Sequence, residues 1–193
     1  MKKHTQNIAF FASGNGSNAQ NIVEYFKDRP EFTPSLILTN KADAYVIQRA
    51  ESLDIPCITF SASELRNTNR ILEILESHAI DFIVLAGFLL RVPSNIIQAF
   101  PNKIINIHPA LLPKFGGKGM YGDHVHKAVK EAQEKETGIT IHYVNEHYDE
   151  GQIIFQEKVP VLPTDSPDDI AEKVHALEYE HFPKVIDRLL FLV

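Results

Sequence analysis

The chain has 193 residues, enough for one domain with a sizeable core. Its 44% hydrophobic and 23% charged residues suit an ordinary globular protein, and a formal charge of −6 argues against bulk affinity for nucleic acid, which needs clustered Lys and Arg. The single cysteine, Cys57, can form no internal disulfide and fits a reducing compartment; within "IPCITF" it reads as a small buried apolar residue.

The opening "MKKHTQNIAFFASG" lacks the apolar run of a secretory signal, and no stretch approaches a membrane span of ~20 apolar residues. A cytoplasmic, soluble protein is expected. In chain order, "NIAFFA" (7–12) reads as a strand ending in a Gly-rich turn, and "SNAQNIVEYFKD" (17–28) has helical apolar spacing. "SLILTN" (35–40) and "ADAYVIQRAESLD" (42–54) form the next strand and helix. "CITF" (57–60) leads into a helix over 63–80 with Ser63 as its cap. "DFIVLAGF" (81–88) is a fully buried strand, "PSNIIQAF" (93–100) a short helix, and "KIINIH" (103–108) another strand. Then the pattern changes. Residues 137–144 and 151–161 are two strands joined by a short loop, a hairpin or bent pair. A last helix starts near Ser166-Pro167, and Pro183 should kink or divide it.

Continuous apolar strands between amphipathic helices predict an α/β fold: one open, mostly parallel sheet with helices on both faces, Rossmann-like, plus a C-terminal strand pair and helix. Ligands in such folds bind beyond the carboxyl ends of the strands. Three of those ends carry chemistry: "SGNGSN" after the first strand, "AGFLLRVP" after the fourth and "NIHPALLP" after the fifth. "SGNGSN" (13–18) is a strand–helix turn whose backbone N–H groups and helix dipole suit an anion. Gly14, Gly16 and Ala19 match G-x-G-x-x-A, but the second strand ends in Thr39 and Asn40 with no acid to hold a ribose, so phosphate is favoured over a dinucleotide.

"IINIHPALLP" (104–113) puts Asn106 and His108 two apart, on one face of a strand. A carboxamide and an imidazole there can donate to an oxygen gaining negative charge, with Pro109 and Pro113 stiffening the exit. Asp149, in "NEHYDEGQII", is either a turn former or a group that orients water and accepts a proton. His124, His126 and His142 lack the spacing of a zinc site, so no metal is expected. His175 and Glu178 sit one helical turn apart, on a solvated face or against a polar ligand. "FGGKGMYG" (115–122) is a flexible loop of the kind that forms lids.

In this order, "SGNGSN", "NKADA", "VLAGF", "NIHPALLP" and a late D-E-G resemble the phosphoribosylglycinamide formyltransferases, a branch of the folate-dependent formyltransferases, from about residue 7 to residue 190. The resemblance implies formyl transfer from 10-formyltetrahydrofolate to glycinamide ribonucleotide in purine synthesis, without metal or covalent enzyme intermediate. It implies a single domain over 1–193, with a phosphate-binding half (about 1–100) and a folate and catalytic half (about 101–193). Gly16, Ser17 and Asn18 would bind phosphate, with His175 and Glu178 at the ribose and phosphate. Leu89, Leu90, Arg91, Val92, Asn106 and the loop Asn145, Glu146, His147, Tyr148 and Asp149 would bind folate. Asn106, protonated His108 and Asp149 would be catalytic. Either Arg66 or Arg70 would meet the folate's glutamate tail. Two departures stand out: Leu89-Leu90 replaces the Met-Arg that often follows "AGF", and the segment 114–126 is several residues longer than in the shortest members.

Other formyl-handling enzymes fit less well. A methionyl-tRNA formyltransferase would carry a further basic domain, a formyltetrahydrofolate hydrolase an N-terminal regulatory one, and a sugar-amine formyltransferase has little use for the phosphate turn. A nucleotide-binding regulatory module would need that turn but not Asn106, His108 and Asp149 together. The expected partners are these two small molecules, with no nucleic acid and no membrane; a weak homodimer is compatible with the sequence.

Overall fold

The computed structural model describes residues 5–191, and two compact units divide the chain between Ile105 and Asn106. The first unit holds strands β1 (Gln6–Phe11), β2 (Phe32–Thr39), β3 (Cys57–Thr59) and β4 (Phe82–Leu85), in the order β3-β2-β1-β4 and all parallel. Helices α1 (Ser17–Tyr25), α2 (Val46–Ser52), α3 (Ala62–Asn67), α4 (Arg70–Ser77) and α5 (Ser94–Ala99) connect them. Ile8–Phe11 of β1 and Leu36–Leu38 of β2 are at most 1% exposed. Such continuous burial is what a parallel strand with neighbours on each side and cover on both faces requires. Phe26 stacks on Phe32 at 4.2 Å, and Phe11 meets Phe88 edge-on at 5.1 Å, so the "AGF" segment is packed against β1.

Three expectations change here. β2 starts at Phe32 and passes through Pro34, where the pairing skips from Ile8↔Pro34 to Ala9↔Leu36. The extra residue at Ser35 is the bulge that lets a proline sit inside a sheet. The single helix over 63–80 is two, because Thr68 is extended and its Oγ1 donates to the Glu64 carbonyl while accepting the Arg70 N–H. The cap is Ser61 rather than Ser63: Ser61 and Glu64 form a reciprocal capping box. Cys57 is half-buried, and that burial pushes its thiol up, away from the reactive thiolate.

Strand β5 (Ile104–His108) crosses the boundary into the second unit, where the order continues β5-β6-β7. β6 (Glu136–Tyr143) and β7 (Ile153–Pro160) are antiparallel, and helices α6 (Asp123–Glu131) and α7 (Pro167–Phe191) complete the unit. Helix α7 runs from Pro167 to Phe191 through Pro183, so of the expected kink or division, the division does not occur. Proline removes one helical hydrogen bond, but Phe182, Val185 and Ile186 beside it are 0–3% exposed, and their burial outweighs that loss. The helix starts at Pro167 as expected, and this end is capped reciprocally: Ser166 Oγ accepts the Asp169 N–H at 3.2 Å, and the Asp169 carboxylate accepts the Ser166 N–H at 2.7 Å.

Candidate active site

The first unit supplies a turn made of backbone. Gly16 caps α1 with φ 75°, ψ 14°, a left-handed conformation that glycine adopts without strain. A side chain there would also overlap α2, since an added Cβ lies 2.3 Å from Val46 Cγ2. The α1 N-terminus that follows, at Ser17 and Asn18, presents helical N–H groups to any anion. Ser13, 1% exposed, ties neighbouring strand ends together: its Oγ donates to Asn40 Oδ1 at 2.6 Å and accepts the Leu89 N–H at 2.9 Å. Asn40 is thereby committed to holding Ser13. Leu89 and Leu90 are half-buried, Arg91 is exposed and Val92 is buried. Arg70 is paired with Glu64 and Arg66 is exposed.

The second unit supplies side chains. Asn106 and His108 leave β5 on one face. His108 is 3% exposed; its Nε2 lies 2.7 Å from the Phe115 carbonyl and its Nδ1 3.5 Å from Asp149 Oδ2. A carbonyl can only accept, so Nε2 carries the proton and Nδ1, in the neutral ring, is the basic atom facing Asp149. Asp149 Oδ2 also accepts the Gly117 N–H at 2.9 Å. The 115–122 segment is therefore bound to both catalytic candidates through its own backbone. Burial lowers the His108 pKa, and the Asp149 charge and the Phe115 bond do not fully restore it. Where the sequence reading has His108 protonated, the buried ring favours the neutral form. Asp149 is raised by burial but held below the usual carboxylate range by His142, His108 and the Gly117 N–H together.

His142 is the residue that sequence reasoning missed. Its Nδ1 is 2.9 Å from the Tyr143 carbonyl, and its Nε2 is 3.1 Å from Asn106 Nδ2 and 3.6 Å from Asp149 Oδ1. With Nδ1 protonated, Nε2 accepts from the Asn106 amide and fixes which way that amide faces. The signal was in the alternation of "GITIH": Gly138, Thr140 and His142 share one face of β6. Thr140 uses that face to hold the end of β5, donating to the Ala110 carbonyl at 2.7 Å and accepting the Leu112 N–H at 3.0 Å. Gln156, its partner across β7, donates to the Leu112 carbonyl. These bonds, together with the prolines, anchor the exit. The β6–β7 pairing slips between Ile141 and His142, and such bulges re-aim side chains next to sites. Gly151 makes the return possible, since a Cβ there would lie 1.6 Å from the Tyr143 carbonyl oxygen.

The remaining predicted residues spread over the second unit. Asn145 shapes its own loop, its Oδ1 accepting the His147 N–H and its Nδ2 donating to the Glu150 carbonyl. Glu146, His147 and Tyr148 are exposed, and Asp149 holds a left-handed φ of 56°. His175 Nδ1 bonds the buried Glu178 at 2.9 Å, which raises its pKa. His126, buried on α6, lies 6.4 Å from His175 ring to ring, while His124 is exposed. Among the described residues, no group of three or more His, Cys, Asp or Glu is placed to hold a metal, and no helix is long and apolar enough to cross a membrane.

A model of the formyl transferase family matches residues 6–186, nearly the whole chain. The chain belongs to the formyl transferase family. Phosphoribosylglycinamide formyltransferase of Bacillus subtilis is 39% identical over 197 residues, covering 100% of this chain and 96% of that one. The chloroplastic phosphoribosylglycinamide formyltransferase of Arabidopsis thaliana is 40% identical over 185 residues, and the chain spans only 63% of its length. Among solved structures, glycinamide ribonucleotide transformylase 1 of Geobacillus kaustophilus superposes with a TM-score of 0.88 at 35% identity, over 97% of this chain and 100% of that one. The α/β fold of this formyl transferase is therefore shared with those enzymes.

Proposed function

We propose that this formyl transferase moves the formyl group of 10-formyltetrahydrofolate to the amine of 5′-phosphoribosylglycinamide, giving the N-formyl product and tetrahydrofolate in purine synthesis. The observation that carries the reading is the joining of Asn106, His108, His142 and Asp149 by contacts of 3.1–3.6 Å in a chain of this family. The names of the relatives supply the substrate class.

The chemistry balances on these groups. Amine attack on the formyl carbon makes a tetrahedral intermediate with an oxyanion and a cationic nitrogen. The Asn106 amide, aimed by His142, donates to the oxyanion. The cationic nitrogen gives its surplus proton, through Asp149 or a water it orients, to His108 Nδ1, and the resulting imidazolium is held by the Asp149 charge. His108 then returns that proton to the departing folate nitrogen as the carbon–nitrogen bond breaks. A neutral resting His108 suits this cycle, because it must first take a proton up. Gly16, Ser17 and Asn18 bind the phosphate; His175 and Glu178 recognise the ribose and phosphate. Leu89, Leu90, Arg91, Val92, Asn106 and residues Asn145 to Asp149 bind the folate. On this reading the reaction takes place in the cytoplasm, and no metal takes part.

Mixing the protein with glycinamide ribonucleotide and a 10-formylfolate should change the folate absorbance in step with N-formyl product. A folded protein that leaves both substrates unchanged would sink the proposal.

A further inference from the structure

The phosphate turn has a second layer, built by α2. Val46 N–H donates to the Gly14 carbonyl at 3.1 Å, and one turn later Arg49 closes over Asn15. Arg49 Nε donates to the Asn15 carbonyl at 2.9 Å and to its Oδ1 at 3.1 Å, and Nη2 reaches the same Oδ1 at 2.6 Å. Nη1 bonds Gln20 Oε1 on α1, and the guanidinium carbon lies 4.9 Å from the Tyr45 ring centroid. The half-buried guanidinium thus holds both sides of the turn, Asn15 before Gly16 and Gln20 after it.

An anion seated on backbone N–H groups is repelled by any carbonyl oxygen turned toward it. Here two carbonyls of the turn, at Gly14 and Asn15, are each drawn to a donor on α2, as is the Asn15 amide oxygen. The planar fork of an arginine satisfies both Asn15 acceptors at once and leaves a positive charge beside the turn, while the Val46 N–H donates to the Gly14 carbonyl. We propose that Arg49 is the positioning residue of the phosphate subsite: it holds the carbonyl and amide oxygen of Asn15, leaves the donors of the turn for the phosphate and sets a positive charge against the dipoles that would oppose it. This rests on the reading of the turn as the phosphate site.

The test compares glycinamide ribonucleotide with its dephosphorylated riboside, using Arg49→Gln, Arg49→Lys and Asn15→Ala enzymes. The ratio of kcat/KM for the phosphorylated over the dephosphorylated substrate should fall about ten- to a hundredfold in Arg49→Gln, mostly through the KM of the ribonucleotide. Arg49→Lys, which keeps the charge without the fork, should lie between it and wild type. Asn15→Ala, which removes the side-chain acceptor instead, should shift the ratio the same way and serves if Arg49→Gln does not fold. Equal losses on both substrates, or a matching rise in folate KM, would overturn the inference and leave the phosphate reading standing. A wild-type enzyme that does not discriminate the two substrates would remove both.

Discussion

The turn after β1 and the cluster at the end of β5 solve different problems with different materials. The turn is backbone: Gly16 gives the left-handed corner, and α2 holds the outside from Val46 and Arg49. The cluster is side chain: Asn106 bonds His142 at 3.1 Å, and Asp149 lies 3.6 Å from His142 and 3.5 Å from His108. A phosphate keeps its charge through the reaction, so fixed N–H dipoles are enough to hold it. An acyl transfer makes and loses charge, so it needs groups that titrate. Perturbations of the two regions should therefore separate binding from chemistry.

The largest effect is expected from His108→Ala. Steady-state kinetics should show kcat down by about 10²–10⁴ with folate KM little altered. A large loss of folate binding instead would move His108 into the binding group. His142→Ala should cost less, about 10–100-fold in kcat, because it only aims Asn106 and contacts Asp149; an unchanged kcat would mark His142 as packing.

On the other region, Gly16→Ala meets both a positive φ and Val46, so chemical denaturation should show a loss of about 1–3 kcal/mol, accompanied by a raised ribonucleotide KM. Gly14→Ala, with open space around the added Cβ and no positive φ, should stay within about 1 kcal/mol. Similar losses at both glycines would refute the turn geometry.

A subtler test is the titration of His108. Its folded pKa lies below its unfolded value of about 6.5, so its contribution to stability is fully present above that pH and is lost as pH falls below it. His126, lowered chiefly by burial and then by the charge of His175, acts in the same direction, whereas His175, raised, contributes stability that is lost as pH rises. Asp149→Asn removes the charge that raises His108, so NMR should find the His108 pKa lower still; a rise would mean that Asp149 does not face the ring. Away from both regions, Ser61→Ala opens the capping box of α3 and should cost about 1 kcal/mol in a thermal melt.

The strands were legible because burial writes itself into runs of Ile, Val, Leu and Phe, and period-two alternation placed Asn106 and His108 on one face before any coordinates. The Gly-rich turn and Asn106 with His108 pointed to an anion and an oxyanion from the residues alone; the family motifs added the substrates proposed for them. Local competition was harder to read: Thr68 breaks a helix that apolar spacing alone continues, and Ser61 outcompetes Ser63 because Glu64 stands three residues after it. Pro183 stays inside α7 because the burial around it outweighs a missing bond.

By itself the sequence determined the α/β class, the Gly-rich strand–helix turn and the pair on β5, since each depends on neighbours in the chain. Only the tertiary structure decided that His142 of β6 bonds Asn106, that Asp149 returns to His108, and that Arg49 of α2 grips Asn15. Those partners are 36, 41 and 34 positions apart, and no local propensity reports what a folded chain brings together over such a distance. It also decided that the His108 pKa is lowered, because burial, which sets that balance, is a property of the fold around the ring.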